Sequence, residues 1–284
     1  MTPTETVEYH GMPAIRWRAP DGACAIATIQ GAHLVSWIPP GGEECLYVSE
    51  RSPFGAGLPI RGGIPIAFPQ FADNGPLARH GFARTQAWSF MGASEAQEGT
   101  RVAFALESSH ATQALWPGAF RLELTATIGG PRLEVLLRVA NTGDAAFTFN
   151  AALHTYLRVS EAAAVRLEGL RGARYANRAD SAIGVEGRAA VTAAEPIDRV
   201  YFASPPATRL VDAGRLLRIE QRGFIDTVVW NPGRALTAQM PDMPPDGFRH
   251  MLCVEAATIE PPVVLDPGAA WSGGQSITVV AGAA

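Results

Sequence analysis

An all-β fold, a large antiparallel sandwich or a closed barrel, is predicted by three features of the chain. Apolar and polar residues alternate over many short segments. Within 284 residues, 29 glycines and 22 prolines punctuate those segments, and helical periodicity is scarce throughout. No internal repeat, low-complexity linker or shift of composition marks a boundary, so residues 1–284 are expected to form a single domain.

Taken in order, strands are expected near 23–29 and 32–38. The stretch LPIRGGIPIAFPQF (58–71) then reads as a proline-braced loop before a buried strand, with Arg61 at its edge. It lacks the lysine and serine or threonine of a nucleotide-binding phosphate loop. Residues 102–106, 120–128 and 132–140 alternate apolar with polar, separated by Gly129-Gly130-Pro131 and followed by Asn141-Thr142-Gly143-Asp144. Glycine and asparagine supply the positive φ angles of tight turns, so this region reads as antiparallel hairpins running into the next strand. That strand, FTFNAALHTYLRVS, carries Phe147, Phe149, Ala151, Leu153, Leu157 and Val159 on one parity and Thr148, Asn150, His154, Tyr156 and Arg158 on the other. Period two buries the first set and puts His154 mid-strand on a polar face. Further strands are expected near 207–211, 215–221, 226–231, 248–256 and 275–281.

Composition excludes several classes of function. The formal net charge is −4 and every basic residue is arginine. A mildly acidic chain without a basic cluster is a poor nucleic-acid binder, and without lysine no Schiff-base mechanism is open to it. Cys24, Cys45 and Cys253 are an odd number without metal-like spacing, which favours reduced thiols in a cytoplasm. The opening MTPTETVEYHG has no basic segment followed by an apolar one, and no apolar run reaches the length of a membrane span. Neither a signal peptide nor a membrane partner is expected.

Four places could carry chemistry. A rigid strand holds an imidazole in a fixed direction, as acid–base catalysis needs, which singles out His154. In FRHMLCVEAA (248–257), Glu255 lies inside an apolar run on the parity of Arg249, Met251 and Cys253. A lone buried carboxylate is costly, so Glu255 is either a base or half of a structural salt bridge. ARHGFAR (78–84) gathers Arg79, His80 and Arg84 into an anion-binding segment or a solvated loop. Arg61 is an anion contact or a structural ion pair. His10, His33 and His110 read as structural or solvated, and His250 has the parity opposite to Glu255. His80, His154 and Glu255 have no short-range ligand spacing, so no metal is predicted.

The motifs IRGGIPIAFPQF, RHGFAR, LHTYLRVS, DRVY, DTVVWNP and MLCVEAA, in this order and spacing, resemble those of the hexose-6-phosphate mutarotases, also called glucose-6-phosphate 1-epimerases, a branch of the aldose 1-epimerase superfamily. The resemblance spans about residues 20–280. It implies a β-sandwich of the galactose-mutarotase type with the sugar on a concave sheet face. It further implies His154 as catalytic acid, Glu255 as catalytic base, Arg61 and Arg84 as substrate and phosphate contacts, His80 as a site-lining residue and Asp198 as a sugar-hydroxyl ligand. Many relatives have glutamine where this chain has Arg79, which either removes a hydrogen-bonding role or adds a phosphate contact. The implied reaction interconverts α and β anomers of an aldohexose 6-phosphate without any cofactor, in a cytoplasmic monomer. Free aldoses as substrates, or a non-catalytic sugar-binding sandwich, are the alternatives.

Overall fold

The structure, a computed structural model, describes residues 4–280, and these form twenty-one strands. From the N-terminal side they are β1 (Thr4–Tyr9), β2 (Met12–Arg18), β3 (Cys24–Thr28), β4 (His33–Ile38) and β5 (Ile66–Ala67). Then come β6 (Ser89–Ala96), β7 (Gly99–Glu107), β8 (Phe120–Gly129), β9 (Arg132–Asn141), β10 (Phe147–Leu153) and β11 (Tyr156–Arg158). Short strands β12 (Arg166–Glu168), β13 (Arg174–Asn177), β14 (Ile183–Val185), β15 (Ala190–Val191) and β16 (Ile197–Tyr201) follow. The last are β17 (Ala207–Asp212), β18 (Arg215–Arg222), β19 (Asp226–Asn231), β20 (Met251–Leu265) and β21 (Ala270–Val280). Two short helices, α1 (His110–Leu115) and α2 (Gly233–Thr237), interrupt the strands. None among the described residues is long and apolar enough to cross a membrane.

All pairings between these strands are antiparallel, in three sheets. The nine-stranded sheet runs β15-β12-β17-β18-β21-β9-β8-β7-β6, and the eight-stranded sheet runs β14-β13-β16-β19-β20-β10-β5 with β11 also paired to β20. A four-stranded sheet, β1 to β4, adds Trp17 and Trp37 to the core. The alternation read in 120–128 and 132–140 is the inner face of the nine-stranded sheet: Leu122, Leu124, Ala126, Leu133, Val135 and Leu137 are buried. Its outer face carries crossed ion pairs such as Arg121–Glu123 and Arg138–Glu123, which keep that surface solvated and add little stability. From the facing sheet, Ala151, Leu153, Leu157, Leu252, Val254 and Ala256 meet this core.

Two expectations are corrected by the topology. The turn at 141–144 does not close a hairpin, because β9 pairs with β8 and β21 whereas β10 pairs with β20 and β5. Asn141 donates its side-chain amide to the carbonyls of Ala145 and Leu265, and the chain crosses there from one sheet to the other. Nor is His154 mid-strand. β10 ends at Leu153, and the backbone N–H of His154 donates to Pro65 at 3.0 Å while that of Tyr156 donates to Gly63 at 2.9 Å. The loop before β5 thus stands where a regular neighbouring strand would be, and the strand breaks to meet it. Residues 248–250 form a turn of 3₁₀ helix, so the Glu255 strand begins at Met251.

Candidate active site

The exposed side of the eight-stranded sheet supplies a platform of three neighbouring strands. β16, β19 and β20 place Asp198 opposite Trp230, and Val228 opposite Glu255. Period two then puts Cys253 and Glu255 on this side and Val254 and Ala256 in the core, as the sequence indicates. A cavity of about 300 Å³ opens above the platform, lined by Arg61, Phe71, Ala72, Arg79, His80, His154, Arg178, Asp198, Val228, Trp230, Leu236, Met240 and Glu255.

Loops bring the remaining residues over the strands. Gly62 and Gly63 both have positive φ, and a Cβ on either would lie 2.3 Å from the Tyr47 carbonyl oxygen or 2.2 Å from that of Leu34. Only glycine lets this loop press so closely on its neighbours, and the turn aims Arg61 at the cavity. Arg61 donates from Nε to Asp242 at 3.0 Å and from Nη1 to the Tyr156 hydroxyl at 3.1 Å. Burial works against its charge, but Tyr156 and Asp242 more than offset this and hold it protonated. Arg178 follows β13 and lies over the Phe71 ring, its Nε 3.9 Å from Asp198. Arg79 is about half exposed and pairs with Asp73.

Arg84 is not among the cavity-lining residues. Its Nη2 donates to the Arg79 carbonyl at 2.7 Å, so it supports the arginine cluster from the side. Burial and the nearby Arg61 and Arg79 lower its pKa to about 10. His80 has a φ of 66°, and its Nδ1 accepts the Ala72 N–H at 3.2 Å, which leaves Nε2 to carry the proton of the neutral ring. Burial, with Arg84, Arg79, Arg61 and Arg178 around it, pushes the His80 pKa down to about 2.

His154 stacks on Tyr156 with ring centroids 4.7 Å apart, and His80 and Trp230 meet it edge-on. Its Nδ1 lies 3.2 Å from Glu255 Oε1, yet Nδ1 and the other carboxylate oxygen, Oε2, are buried without a hydrogen-bond partner. Burial pushes the Glu255 pKa well up, reinforced by Asp198. Burial pushes that of His154 well down, reinforced by His80 and the arginines. Burial thus pushes both groups toward their uncharged forms and works against a carboxylate facing an imidazolium. Burial also raises the pKa of Asp198, against the pull of Arg178 and Arg79. Such opposed perturbations of adjacent groups in a cleft mark acid–base sites.

Six of the seven residues singled out in the sequence thus line one cavity, and Arg84 braces it. Arg178, Asp242 and Trp230 are additions. Trp230 shares the parity of Val228 on the recognised DTVVWNP strand, whereas Arg178 and Asp242 lie in turns whose side-chain directions no period announces.

A family model described as aldose 1-epimerase matches residues 13–278. A protein of Cenchrus ciliaris provisionally named glucose-6-phosphate 1-epimerase is 32% identical over 283 residues, covering 95% of this chain and 85% of the relative. One of the same provisional name from Salmonella typhimurium is 37% identical over 232 residues, covering 80% and 77%. The crystal structure of a provisionally described mutarotase from Salmonella typhimurium superposes with a TM-score of 0.90 at 32% identity, over 98% of this chain and 94% of that one. A galactose mutarotase-like protein of Clostridium acetobutylicum shares the fold at 14% identity, with a TM-score of 0.75 over 99% and 98%.

Proposed function

The chain belongs to the aldose 1-epimerase family, and from this premise we propose that it interconverts the α and β anomers of an aldohexose 6-phosphate, glucose 6-phosphate first, with His154 and Glu255 as the acid–base pair. The observation that carries the reading is the meeting of these two side chains, 3.2 Å apart, on the floor of a cavity walled by Arg61, Arg79 and Arg178.

Anomer exchange needs the C1 hydroxyl to lose a proton while the ring oxygen gains one. Ring opening then leaves an aldehyde, rotation about C1–C2 presents its other face, and the reverse transfers close the ring. Glu255 takes the first proton and His154 gives the second. After opening, Glu255 is protonated and His154 neutral, the uncharged forms toward which burial pushes each group. The cyclic sugar needs the charged forms instead, and a phosphate dianion among the arginines relieves the part of the His154 shift that those arginines cause, a smaller part than that of burial. In this reading Asp198, on the cavity wall, accepts from a sugar hydroxyl. The transfers involve only protons, so the reading calls on no metal, nucleotide or redox group. The substrate is a small sugar phosphate, met by a single copy of the chain in the cytoplasm.

Two-dimensional NMR exchange between the anomers of glucose 6-phosphate, with free glucose and galactose alongside, tests the reading. Exchange well above the uncatalysed rate for the phosphorylated sugar supports it. Equal acceleration of the free sugars moves the assignment to unphosphorylated aldoses, and no acceleration of any sugar leaves a binding protein.

A further inference from the structure

Cys253 has no part in the proton transfers but lies beside the groups that make them. It is on β20 two residues before Glu255, with Tyr156 opposite on one neighbouring strand and Trp230 on the other. It is fully buried and forms no disulfide. Its sulfur, a ring nitrogen of His154 and a carboxylate oxygen of Glu255 all lie within 4.8 Å of one another. His154 Nδ1 and Glu255 Oε2 are orphaned buried polar atoms, and native interiors rarely leave such atoms unpaired.

One thiol, one imidazole and one carboxylate make a donor set suited to zinc, softer than the all-oxygen sets that take magnesium or calcium. We propose that His154, Cys253 and Glu255 form an inhibitory site for a thiophilic divalent cation of the zinc class. Tetrahedral bonds of about 2.0–2.3 Å put ligand atoms roughly 3.3–3.8 Å apart, so the three side chains need to draw in by about 1 Å. The fourth position is left to water or a sugar hydroxyl from the cavity. Binding releases the protons of the thiol and of Glu255 to solvent, and the resulting two negative ligands neutralise the ion. Asp198 adds attraction against the repulsion of Arg61, Arg79 and Arg178. The ion is a competitor here and not a cofactor, because it occupies the lone pairs that the proton transfers require. That inhibition rests on the acid–base reading above, whereas the binding itself does not.

Binding is tested without sugar by titrating the chelator-treated protein with Co²⁺ alone. A near-ultraviolet thiolate-to-cobalt band is expected in the wild type and absent in Cys253→Ser, and Cys253→Ala serves if the serine variant does not fold. Zn²⁺ should inhibit anomer exchange in the wild type. In the Cys253 variant, compared with its own metal-free rate, the inhibitory concentration should rise by at least about a hundredfold, since losing a direct ligand costs no less than the roughly ten- to a hundredfold of losing a group that only supports one. X-ray absorption of the wild-type zinc complex should show one sulfur neighbour at about 2.3 Å. Absence of the cobalt band and of the sulfur neighbour, or zinc inhibition unchanged in the Cys253 variant, overturns the proposal. A Cys253-dependent band in a protein without anomer exchange keeps the metal site and removes the acid–base reading instead.

Discussion

Glu255 is fully buried with its carboxyl 3.2 Å from His154 Nδ1 and the Cys253 sulfur close by, and on the acid–base reading Glu255 and His154 act as a unit. Positioned proton-transfer groups contribute about a hundred- to ten-thousandfold in rate. His154→Ala and Glu255→Gln should therefore each lower anomer exchange by about that factor, with circular dichroism unchanged. Near-wild-type exchange in both variants would remove the pair from the mechanism. The arginines separate by position. Arg61 is fixed by Asp242 and Tyr156 inside the cavity, whereas Arg84 reaches it only through Arg79. A charged hydrogen bond is worth about 1.5–3 kcal/mol, so Arg61→Met should weaken glucose 6-phosphate binding roughly ten- to a hundredfold. Residual turnover of free glucose should change far less, and Arg84→Met should cost less than Arg61→Met. Equal losses for both sugars would assign Arg61 to the ring or the fold. His154 is legible in the sequence because the alternation of 147–159 sets it on the polar parity, although β10 ends one residue before it, and Glu255 because it is the one carboxylate in an apolar run. Arg178 and Asp242 are not, since YANRADS and QMPDMPPDG are turn-rich stretches where direction depends on tertiary contacts.

Between the two large sheets, one polar link ties the elements that hold both residues. The Gln275 side chain on β21 accepts from the Thr155 hydroxyl and donates to the Val254 carbonyl at 2.9 Å. Thr155 adjoins His154, Val254 adjoins Glu255, and the Val254 N–H donates to the Thr155 carbonyl. Gln275 is buried in the core, so replacing it with leucine strands a hydroxyl and a carbonyl, at a cost of about 1–3 kcal/mol each. Gln275→Leu should lower stability to denaturant and reduce the exchange rate, and adding Thr155→Val should recover part of the stability. Strictly additive losses would show that the bond does not couple them. At this scale the long strands are legible because their faces differ in solvent exposure. The short strands β12 to β16 are not, being two to five residues each with too few alternations to form a pattern. The β9–β10 crossover is equally silent, since a turn sequence states that the chain reverses but not which sheet it joins.

For the molecule as a whole, buried histidines set the acid limit. His33 Nε2 donates to the Gly62 carbonyl at 2.7 Å, and burial lowers its pKa from 6.5 to about 4. Below pH 6.5 the unfolded chain takes up a proton that the folded one refuses, so stability falls as pH drops from 6.5 to about 4 and is unaffected above. The loss from His33 alone is about 3 kcal/mol over that window. His80 acts in the same direction to lower pH. Urea unfolding across this range should show a shallower pH slope for His33→Gln than for the wild type, and parallel slopes would place the acid sensitivity elsewhere. Exhaustive chelation should leave anomer exchange intact or raise it, and activity restored only by added metal would contradict the proton-only mechanism.

β21 lies in the interior of the nine-stranded sheet, between β18 and β9. A chain emerging from the ribosome thus carries two long unpaired strand edges until residues 270–280 arrive to join them. Open edges of this kind recruit other chains, which makes the interval before β21 is synthesised the dangerous one and chaperone protection most valuable there. Shortening the gene product to residue 269 should yield aggregates, whereas the same number of residues removed from the β1 side leaves the seam closed.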